Sequence, residues 1–482
     1  MTGEESVADD QSIDRRTVLA IISGAIVTAF SALFAIITWD DTDQDEPGPT
    51  DTDPEPQPAI SDAVNVREYG AEPNPEDPDL ETAVELTEAI RQAAIAAGSG
   101  GAIYLPSGTY RIGRDAQSYI LEFGERGLPA GISIYGDGPE ETTLGLTEHM
   151  DPDDQSHVML QYSDEGDHNT VAASQITFDG NSPNLDGLAS GQTRAARCFS
   201  VEGQNELELT NVRFVDWYNT TLRLNEWEAS IDHCTFQNIG IEGRQNGQTG
   251  HAIEIETVGT VEVTNSLLER IAGFALNVRY NDGTVIVRNC FVRGAGGGMV
   301  KLSAGERLEI HNSYVEPYTQ WMDDNTPSYD DPEKELKGRH IVQKLFERGE
   351  KVPTVVMNNV EGRNFTAMAM KVRNAPINWE GDMISIHNSC QDYGSAAILE
   401  DEGGKIQNTN VGRISIHNTN GQAFQTPGSN GTISTLREGG NVGLGNTGGI
   451  QLNNLLTGNP LQPDVTSREA VGTTGTFSDR FR

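Results

Sequence analysis

Cysteine is scarce in this chain of 482 residues, which has only Cys198, Cys234, Cys290 and Cys390. No two of them have the Cys-x-x-Cys spacing, which excludes the common zinc-binding and thioredoxin-like motifs. Their number is even, so an exported chain is able to form disulfides from them. Cysteine chemistry therefore gives no function by itself.

Basic residues are also few, with 33 Lys and Arg against 72 Asp and Glu, for a net charge of −39. Because such a surface repels polyphosphate, we expect no nucleic-acid partner. The acidic composition resembles that of proteins from extreme halophiles, where carboxylates keep a protein hydrated although salt screens charge over about 3 Å. An ordinary acidic secreted protein is the alternative interpretation.

One long stretch lacks charge, residues 18–39. At about 1.5 Å per residue it reaches roughly 33 Å, enough to span a bilayer. Arg15 and Arg16 precede it and predict a cytoplasmic N-terminal segment, residues 1–17. They also resemble a twin-arginine export signal, but no Ala-x-Ala cleavage site follows. We therefore favour a retained transmembrane anchor over a cleaved signal, followed by an extended acidic, proline-rich linker at 40–60.

Aromatic residues make up only 6% of the chain, whereas glycine occurs 52 times. This balance is typical of many short strands and tight turns and argues against a large helical core. It predicts an all-β domain beginning near residue 61, outside the membrane.

The sequence also contains an internal repeat of about 23 residues, and each repeat unit is predicted to consist of short strands. In each unit a strand ends in Asn or His, a second short strand follows, and a third comes after a turn. The residues that end the first strand are Asn211, His233, Asn265, Asn289, Asn312, Asn358, Asn388 and Asn418. Three strands per unit predict a right-handed parallel β-helix whose coils lie about 4.8 Å apart. Stacked asparagine amides are expected to bond from coil to coil, and His311, His387 and His417 are structural under the same interpretation.

The repeat also bears on two of the cysteines. Cys234 and Cys290 each follow the ladder position, and Ser266 occupies that place in the coil between them. Two coils separate them by about 9.6 Å, beyond the roughly 7 Å that a disulfide allows between Cα atoms. They are predicted to be free thiols in the core.

Residues 64–138 carry an ordered set of signals: a Val-x-x-x-x-Tyr-Gly-Ala strand and turn, an amphipathic helix from Asp79 to Gly98, and Gly-Gly-Ala-Ile-Tyr-Leu-Pro-Ser-Gly-Thr-Tyr. This set resembles the opening of the pectate-lyase-like superfamily. The resemblance implies a β-helix over residues 61–425 with an N-terminal capping helix and a substrate groove on one outer sheet face. Residues 426–482 show no clear period and are expected to form a cap or a loose tail.

The third strand of each coil presents polar side chains outward in two columns. The first column holds Ser200, Arg223, Glu254, Asn277, Lys301 and Lys371, and the second holds Glu202, Asn225, Glu256, Arg279, Ser303 and Arg373. Five of the few basic residues fall here, which predicts an anion-binding groove. A long turn at 179–197, with Arg194 and Arg197, precedes one of these strands.

Polyuronate lysis needs a base to remove a proton beside a carboxylate that cations have neutralised. Arg279, Lys301 and Arg223 are the candidate catalytic residues. Lys371, Arg373 and Asn277 are candidates for substrate binding, and Glu254 and Glu256 for binding calcium. Under the alternative interpretation these charges are only cross-coil salt bridges.

A second long insertion, residues 316–339, borders the same face. Trp321 and Tyr329 are candidates for stacking on a sugar ring, and Asp323 and Asp324 for binding calcium or acting as an acid–base pair. A solvated loop is the alternative. The Asn-Thr-Asp, Gly-His-Gly and Arg-x-Lys motifs of the polygalacturonase branch are not found, so hydrolysis of that type is not supported.

These observations predict a cell-surface, membrane-anchored β-helix protein that binds an acidic polysaccharide or cell-surface glycan and, as a lyase, cleaves it. Calcium is the only cofactor expected. A non-catalytic adhesin or cell-envelope protein is the alternative. Two or more acids converging near Arg279 or Lys301 would distinguish a lyase from a scaffold.

Overall fold

The computed structural model describes residues 62–457 apart from 75–77, 114–118, 125–126, 150–157, 165–169, 183–196, 204–205, 226–227, 241–249, 258, 318–339, 345–350, 392–395 and 440–441. The predicted anchor and linker lie outside the described residues. Within those residues, no helix is both long enough and apolar enough to cross a membrane.

Among the described residues there is one α-helix, α1 (Leu80–Ala97), and it covers the N-terminal end of the strands. It begins where the Asp79 carboxylate accepts a hydrogen bond from the Thr82 backbone N–H at 2.9 Å. It ends at Gly98, whose φ of 72° suits a residue without a Cβ. A 3-10 helix, Val66–Tyr69, precedes it. The expected capping helix is confirmed.

The strands form two sheets, one of twenty strands and one of twelve. The 20-stranded sheet contains β1 (Val64–Asn65), β2 (Ala102–Tyr104), β3 (Gly108–Ile112), β5 (Ser133–Tyr135), β6 (Thr142–Leu146), β8 (Thr170–Asp179), β10 (Glu206–Val215), β12 (Glu228–Asp232), β13 (Thr235–Ile239), β15 (Val261–Thr264), β16 (Leu267–Ile271), β18 (Thr284–Arg288), β19 (Phe291–Ala295), β21 (Arg307–His311), β22 (Tyr314–Glu316), β24 (Thr354–Arg363), β26 (Pro376–His387), β28 (Lys405–His417), β30 (Asn430–Gly439) and β32 (Gly449–Thr457). The 12-stranded sheet contains β4 (Tyr119–Gly124), β7 (Val158–Asp164), β9 (Arg197–Gly203), β11 (Leu222–Asn225), β14 (Ile253–Thr257), β17 (Phe274–Asn281), β20 (Gly298–Leu302), β23 (His340–Lys344), β25 (Met370–Arg373), β27 (Ala396–Asp401), β29 (Gln422–Gln425) and β31 (Gly443–Asn446).

Each coil of the chain passes through three parallel ladders. The 20-stranded sheet has two of them, because long strands such as β10 pair first with β12 and then, beyond a corner, with β13. The 12-stranded sheet is the third ladder, in which β11 lies between β9 and β14. The all-β, parallel architecture with three strands per coil is therefore as predicted.

The corner within the 20-stranded sheet is built on residues with positive φ. They are Gln175, Asn211, His233, Asn265, Asn289, Asn312, Asn359 and Met383. Asparagine tolerates this left-handed conformation better than most residues. Its amides also bond between coils: Asn289 Nδ2 donates to Asn265 Oδ1 at 3.0 Å, and Asn265 Nδ2 donates to Asp232 Oδ1 at 2.8 Å. The predicted asparagine ladder is confirmed over these coils.

The sequence alignment nevertheless merged two different corners. Asn359, rather than Asn358, continues the first ladder, because its Nδ2 donates to Asn312 Oδ1 at 2.9 Å. Asn388 and Asn418 belong to a second corner, where Asn388 Nδ2 donates to Asn364 Oδ1 at 2.9 Å. The error arose because both corners select asparagine for the same positive φ.

The interior is one continuous apolar column. Side chains of the same type stack on one another in successive coils. The rings of Phe214 and Phe236 lie 4.7 Å apart and nearly parallel, and Phe178 stacks on Phe214 at 5.6 Å. All four cysteines are buried and free. Ser266 Oγ accepts a hydrogen bond from the Cys234 backbone N–H, so the serine separates the two thiols as predicted.

The coils also continue past residue 425, which corrects the expectation of a loose tail from 426. β30 pairs with β28, and β32 pairs with β30 as far as Thr457. This region lacked a clear period because its glycines and asparagines hide the apolar alternation. Residues 458–482 lie outside the described part of the chain.

The ladder predicts a stability effect at Asn265, whose φ is 49°. Asn265→Ala should lower the free energy of unfolding by about 1–2 kcal/mol, because alanine is strained at positive φ and lacks the amide. Asn265→Gly should lose less, since glycine adopts this conformation freely. Urea unfolding measures both. Asn453→Ala, at an exposed position in β32, is the control; an equal loss there would contradict the account.

Candidate functional site

The outer face of the 12-stranded sheet carries one continuous polar column. Backbone pairing aligns Gln161, Ser200, Arg223, Glu254, Asn277, Lys301, Gln343 and Lys371. Gln343 fills the gap that the sequence pattern left between Lys301 and Lys371. The first predicted column therefore exists as one row of neighbouring side chains.

The second column departs from the predicted register at Arg279. Glu202, Asn225 and Glu256 are aligned, but a β-bulge pairs Glu256 with Tyr280. The extra residue at the bulge leaves Arg279 out of the row. Its Nη1 lies 3.2 Å from Glu254 Oε1 and 2.8 Å from Glu256 Oε1, so it reaches carboxylates of both columns.

Arg223 contacts the same two carboxylates from the preceding coil. Its Nη2 donates to Glu256 Oε2 at 3.0 Å, and its Nε lies 3.7 Å from Glu254 Oε1. Arg223, Glu254, Arg279 and Glu256 thus form a closed ion-pair ring. The two glutamate side chains are only 9% and 11% exposed, so their charges depend on these guanidinium partners.

The carboxylates of the ion-pair ring determine the protonation state of Arg223. Burial lowers its pKa, but the hydrogen bond and charge of Glu256 outweigh burial and raise the pKa overall. Arg223 is therefore held as a cation. That state suits a group that binds a carboxylate and opposes the sequence-based suggestion that it acts as a base.

Two further cations adjoin the ring. Arg197, at the start of β9, is within electrostatic range of all four ring members, and burial lowers its pKa. Lys301 lies beside Asn277 in the first column. Glu202 also acts electrostatically on Arg223. This surface therefore brings several cationic side chains together in a chain whose total charge is −39.

His251 is a functional candidate that sequence reasoning passed over. It is buried, and its Nδ1 accepts a hydrogen bond from the Phe274 backbone N–H at 3.0 Å. Burial, and then the charges of Lys301 and Arg279, lower its pKa to about 3. The imidazole is therefore held neutral, and the two cations act on it electrostatically. The sequence did not single out this residue because Gly250-His251-Ala252 lacks the second glycine of the Gly-His-Gly motif.

Farther along the groove, the other predicted binding residues form cross-coil ion pairs. Lys371 Nζ lies 3.4 Å from Asp401 Oδ2, and Arg373 pairs with Glu402. Asn277 Nδ2 donates to Glu254 Oε2 at 3.1 Å. Here the salt-bridge interpretation describes the geometry, which leaves the strongest concentration of charge around the ion-pair ring.

The described residues do not make a calcium site. Glu254 and Glu256 have the oxygen ligands that calcium prefers, but both face guanidinium groups. In the part of the chain that the structure describes, no three His, Cys, Asp or Glu side chains are grouped so as to hold a metal. The predicted residues of the second long insertion, Trp321, Asp323, Asp324 and Tyr329, lie outside the described residues.

The depressed pKa of His251 predicts how stability depends on pH. The ordinary pKa is 6.5 and the folded value about 3, so the unfolded chain binds more protons between them. This contribution to stability is complete above pH 6.5 and is lost as the pH falls. Between pH 7 and pH 5, the loss of this contribution should lower the free energy of unfolding by about 2 kcal/mol.

His251→Asn keeps a hydrogen-bond acceptor for Phe274 but cannot titrate. Urea unfolding at pH 7 and pH 5 should therefore show a smaller acid loss in this variant than in the wild type. His149→Asn, a change outside the ion-pair ring, should lose as much free energy of unfolding between pH 7 and pH 5 as the wild type. Equal losses in all three proteins would contradict the assignment.

Comparison with known proteins agrees with this architecture. Mannuronan C5-epimerase AlgE2 of Azotobacter vinelandii is 26% identical over 257 residues, covering 51% of this chain and 23% of the relative. Mannuronan C5-epimerase AlgE1 of the same organism is 30% identical over 148 residues, covering 28% of this chain and 10% of the relative. The chain thus spans a quarter or less of the length of these relatives.

Among solved structures, the A-module of Azotobacter vinelandii mannuronan C-5 epimerase AlgE6 is similar with a TM-score of 0.49 and 14% identity, covering 83% of this chain and 100% of that one. The family described as rhamnogalacturonase A/epimerase, pectate lyase-like, matches residues 63–316. Because this match extends over more than half of the sequence, the chain belongs to the rhamnogalacturonase A/epimerase, pectate lyase-like family.

Proposed function

We propose that the outer face of the 12-stranded sheet binds an acidic polysaccharide and removes the proton at C5 of a bound uronate unit. One observation carries the proposal. Glu254 and Glu256 both converge on Arg279, beside Lys301, which is the arrangement expected of a lyase and not required of a scaffold. Membership of the pectate lyase-like family supports a polysaccharide as the ligand.

Electrostatics favours this face for a polyanion. Most of a chain with charge −39 repels uronate polymers. Around the ion-pair ring, Arg197 and Lys301 add cationic side chains to those of Arg223 and Arg279. A polyanion is therefore directed to this part of the surface.

The residues divide the chemistry between them. Arg223, held as a cation, neutralises the substrate carboxylate and so makes the C5 hydrogen more acidic. Lys301 is the proposed base: after its ammonium has released a proton to water, the neutral amine takes the C5 proton, and the electron pair moves into the carboxyl group. Lysis follows when the C4–O bond breaks and a C4=C5 double bond forms, while the leaving oxygen gains a proton from water. Epimerisation follows when a proton returns to the opposite face, a reaction named in the relatives above.

The remaining sequence-based predictions complete the proposal. Asn277, Lys371 and Arg373 extend the binding face toward the C-terminal coils. The insertion 316–339 is proposed to overhang the groove, with Trp321 and Tyr329 near the sugar and Asp323 and Asp324 binding calcium or acting as an acid–base pair. The charge-free run at 18–39 supports a membrane anchor that holds the β-helix domain outside the cell. Residues 1–17 then lie in the cytoplasm, and residues 40–60 form the linker.

A non-catalytic surface protein is the second candidate. The closure of the ion-pair ring favours it, because both carboxylates already have two guanidinium partners. In that case the groove binds a glycan without catalysing a reaction on it, as an adhesin or cell-envelope component would.

The two candidates differ in what Lys301→Ala does to a polyuronate. Ultraviolet absorbance detects the unsaturated product of lysis, and deuterium uptake at C5 in heavy water detects epimerisation. The wild type should produce at least one signal. Lys301→Ala should lower it by about 100-fold or more while binding changes little, since a general base contributes to the rate rather than to binding.

Lys405→Ala removes the same type of side chain from the exposed start of β28 and should leave the rate unchanged. Binding without either signal in the wild type would establish the second candidate. No binding to any polyuronate, in a folded protein, would contradict the proposal.

A further inference from the structure

Arg197, like Arg223, has incomplete hydrogen bonding, but Arg223 already pairs with both carboxylates of the ion-pair ring. The Nε of Arg197 is buried and has no hydrogen-bond partner among the described residues. Burial lowers its pKa, although Glu254 and Glu256 act electrostatically to raise it. A guanidinium in this position gains from an added anion, because an unpaired buried charge is costly.

The nearest carboxylates cannot fully satisfy this group. Glu254 and Glu256 are already shared between Arg223 and Arg279 in the ion-pair ring. Arg197 adds a fifth charged side chain to a ring whose own charges balance. A bound anion would pair with Arg197 without competing for these two carboxylates.

We propose that Arg197 binds a carboxylate of the polysaccharide and makes the groove select acidic over neutral polymers. This inference rests on the proposed function. Arginine suits the role because its planar fork binds a carboxylate through two parallel hydrogen bonds. Arg197 is therefore a specificity-determining residue, separate from Lys301, which acts on the proton.

A second incomplete group extends the binding site along the helix. Asn277 is only 3% exposed, its Nδ2 donates to Glu254, and its Oδ1 has no hydrogen-bond partner in the described structure. This buried acceptor suits a sugar hydroxyl. Asn277 lies three coils from Ser200 in the Arg197 strand, or about 14 Å away along the axis. Arg197 and Asn277 therefore contact different sugar units of one polymer.

The test compares an oligomeric polyuronate with the same oligomer after its carboxyl groups have been reduced to alcohols. Titration calorimetry on the full chain gives both affinities. Arg197→Gln should weaken binding of the acidic oligomer by about tenfold to 100-fold, since a hydrogen bond to a charged group is lost. Arg197→Lys should fall between Gln and the wild type, because it keeps the charge but not the fork.

Arg288→Gln is the matched control, because Arg288 is an exposed, ion-paired arginine of the 20-stranded sheet. It should bind both oligomers as the wild type does. The affinity for the reduced oligomer should not change in any Arg197 variant. Thermal unfolding of each variant checks that the fold is kept.

Unchanged affinity of Arg197→Gln for the acidic oligomer would overturn the inference. Equal weakening for the acidic and the reduced oligomer would also overturn it, since Arg197 would then only shape the groove. Failure of the wild-type protein to bind any polyuronate would overturn the proposed function itself, and with it this inference. That last result is seen before any variant is made, so the two failures are distinguishable.

Discussion

Parallel backbone pairing between successive coils is the constraint on which the rest of this structure depends. Pairing fixes which residue lies above which, so a side chain in one coil has its neighbours about 4.8 Å away in the next. The apolar stack of Phe178, Phe214 and Phe236 and the polar row through Glu254 and Lys301 are two results of the same register. A single slipped coil would break both.

The candidate site shows how a small departure from that register creates something new. Without the bulge after Ile255, Arg279 would stand opposite Glu256 in a simple column. With the bulge, Arg279 reaches Glu254 as well, and Arg223 closes the ion-pair ring from the other side. The ring holds the two carboxylates in the surface, and Arg197 and Lys301 add cationic side chains beside it.

Much of the fold was predictable because local chemistry repeats in every coil. The capping helix follows from Asp79 and Gly98, and the asparagine ladder follows from residues able to adopt positive φ. The same chemistry caused the main error, since two corners use asparagine and Asn358 was aligned where Asn359 belongs.

The site was predictable only in part. Alternation identified the first polar column, because outward residues recur with period two. Alternation could not reveal the bulge that redirects Arg279, or that His251 is buried with a lowered pKa. The role inferred for Arg197 depends on its burial and on which carboxylates are already paired, and neither is written in the sequence alone.

The central claim is that a polyuronate lies on the outer face of the 12-stranded sheet. Hydrogen–deuterium exchange of the full chain, with and without an oligomeric polyuronate, tests it most directly. The account predicts slower exchange in β9, β11, β14, β17 and β20 of this sheet and no change in β30 of the 20-stranded sheet. Protection confined to the 20-stranded sheet, or none at saturating ligand, would contradict it.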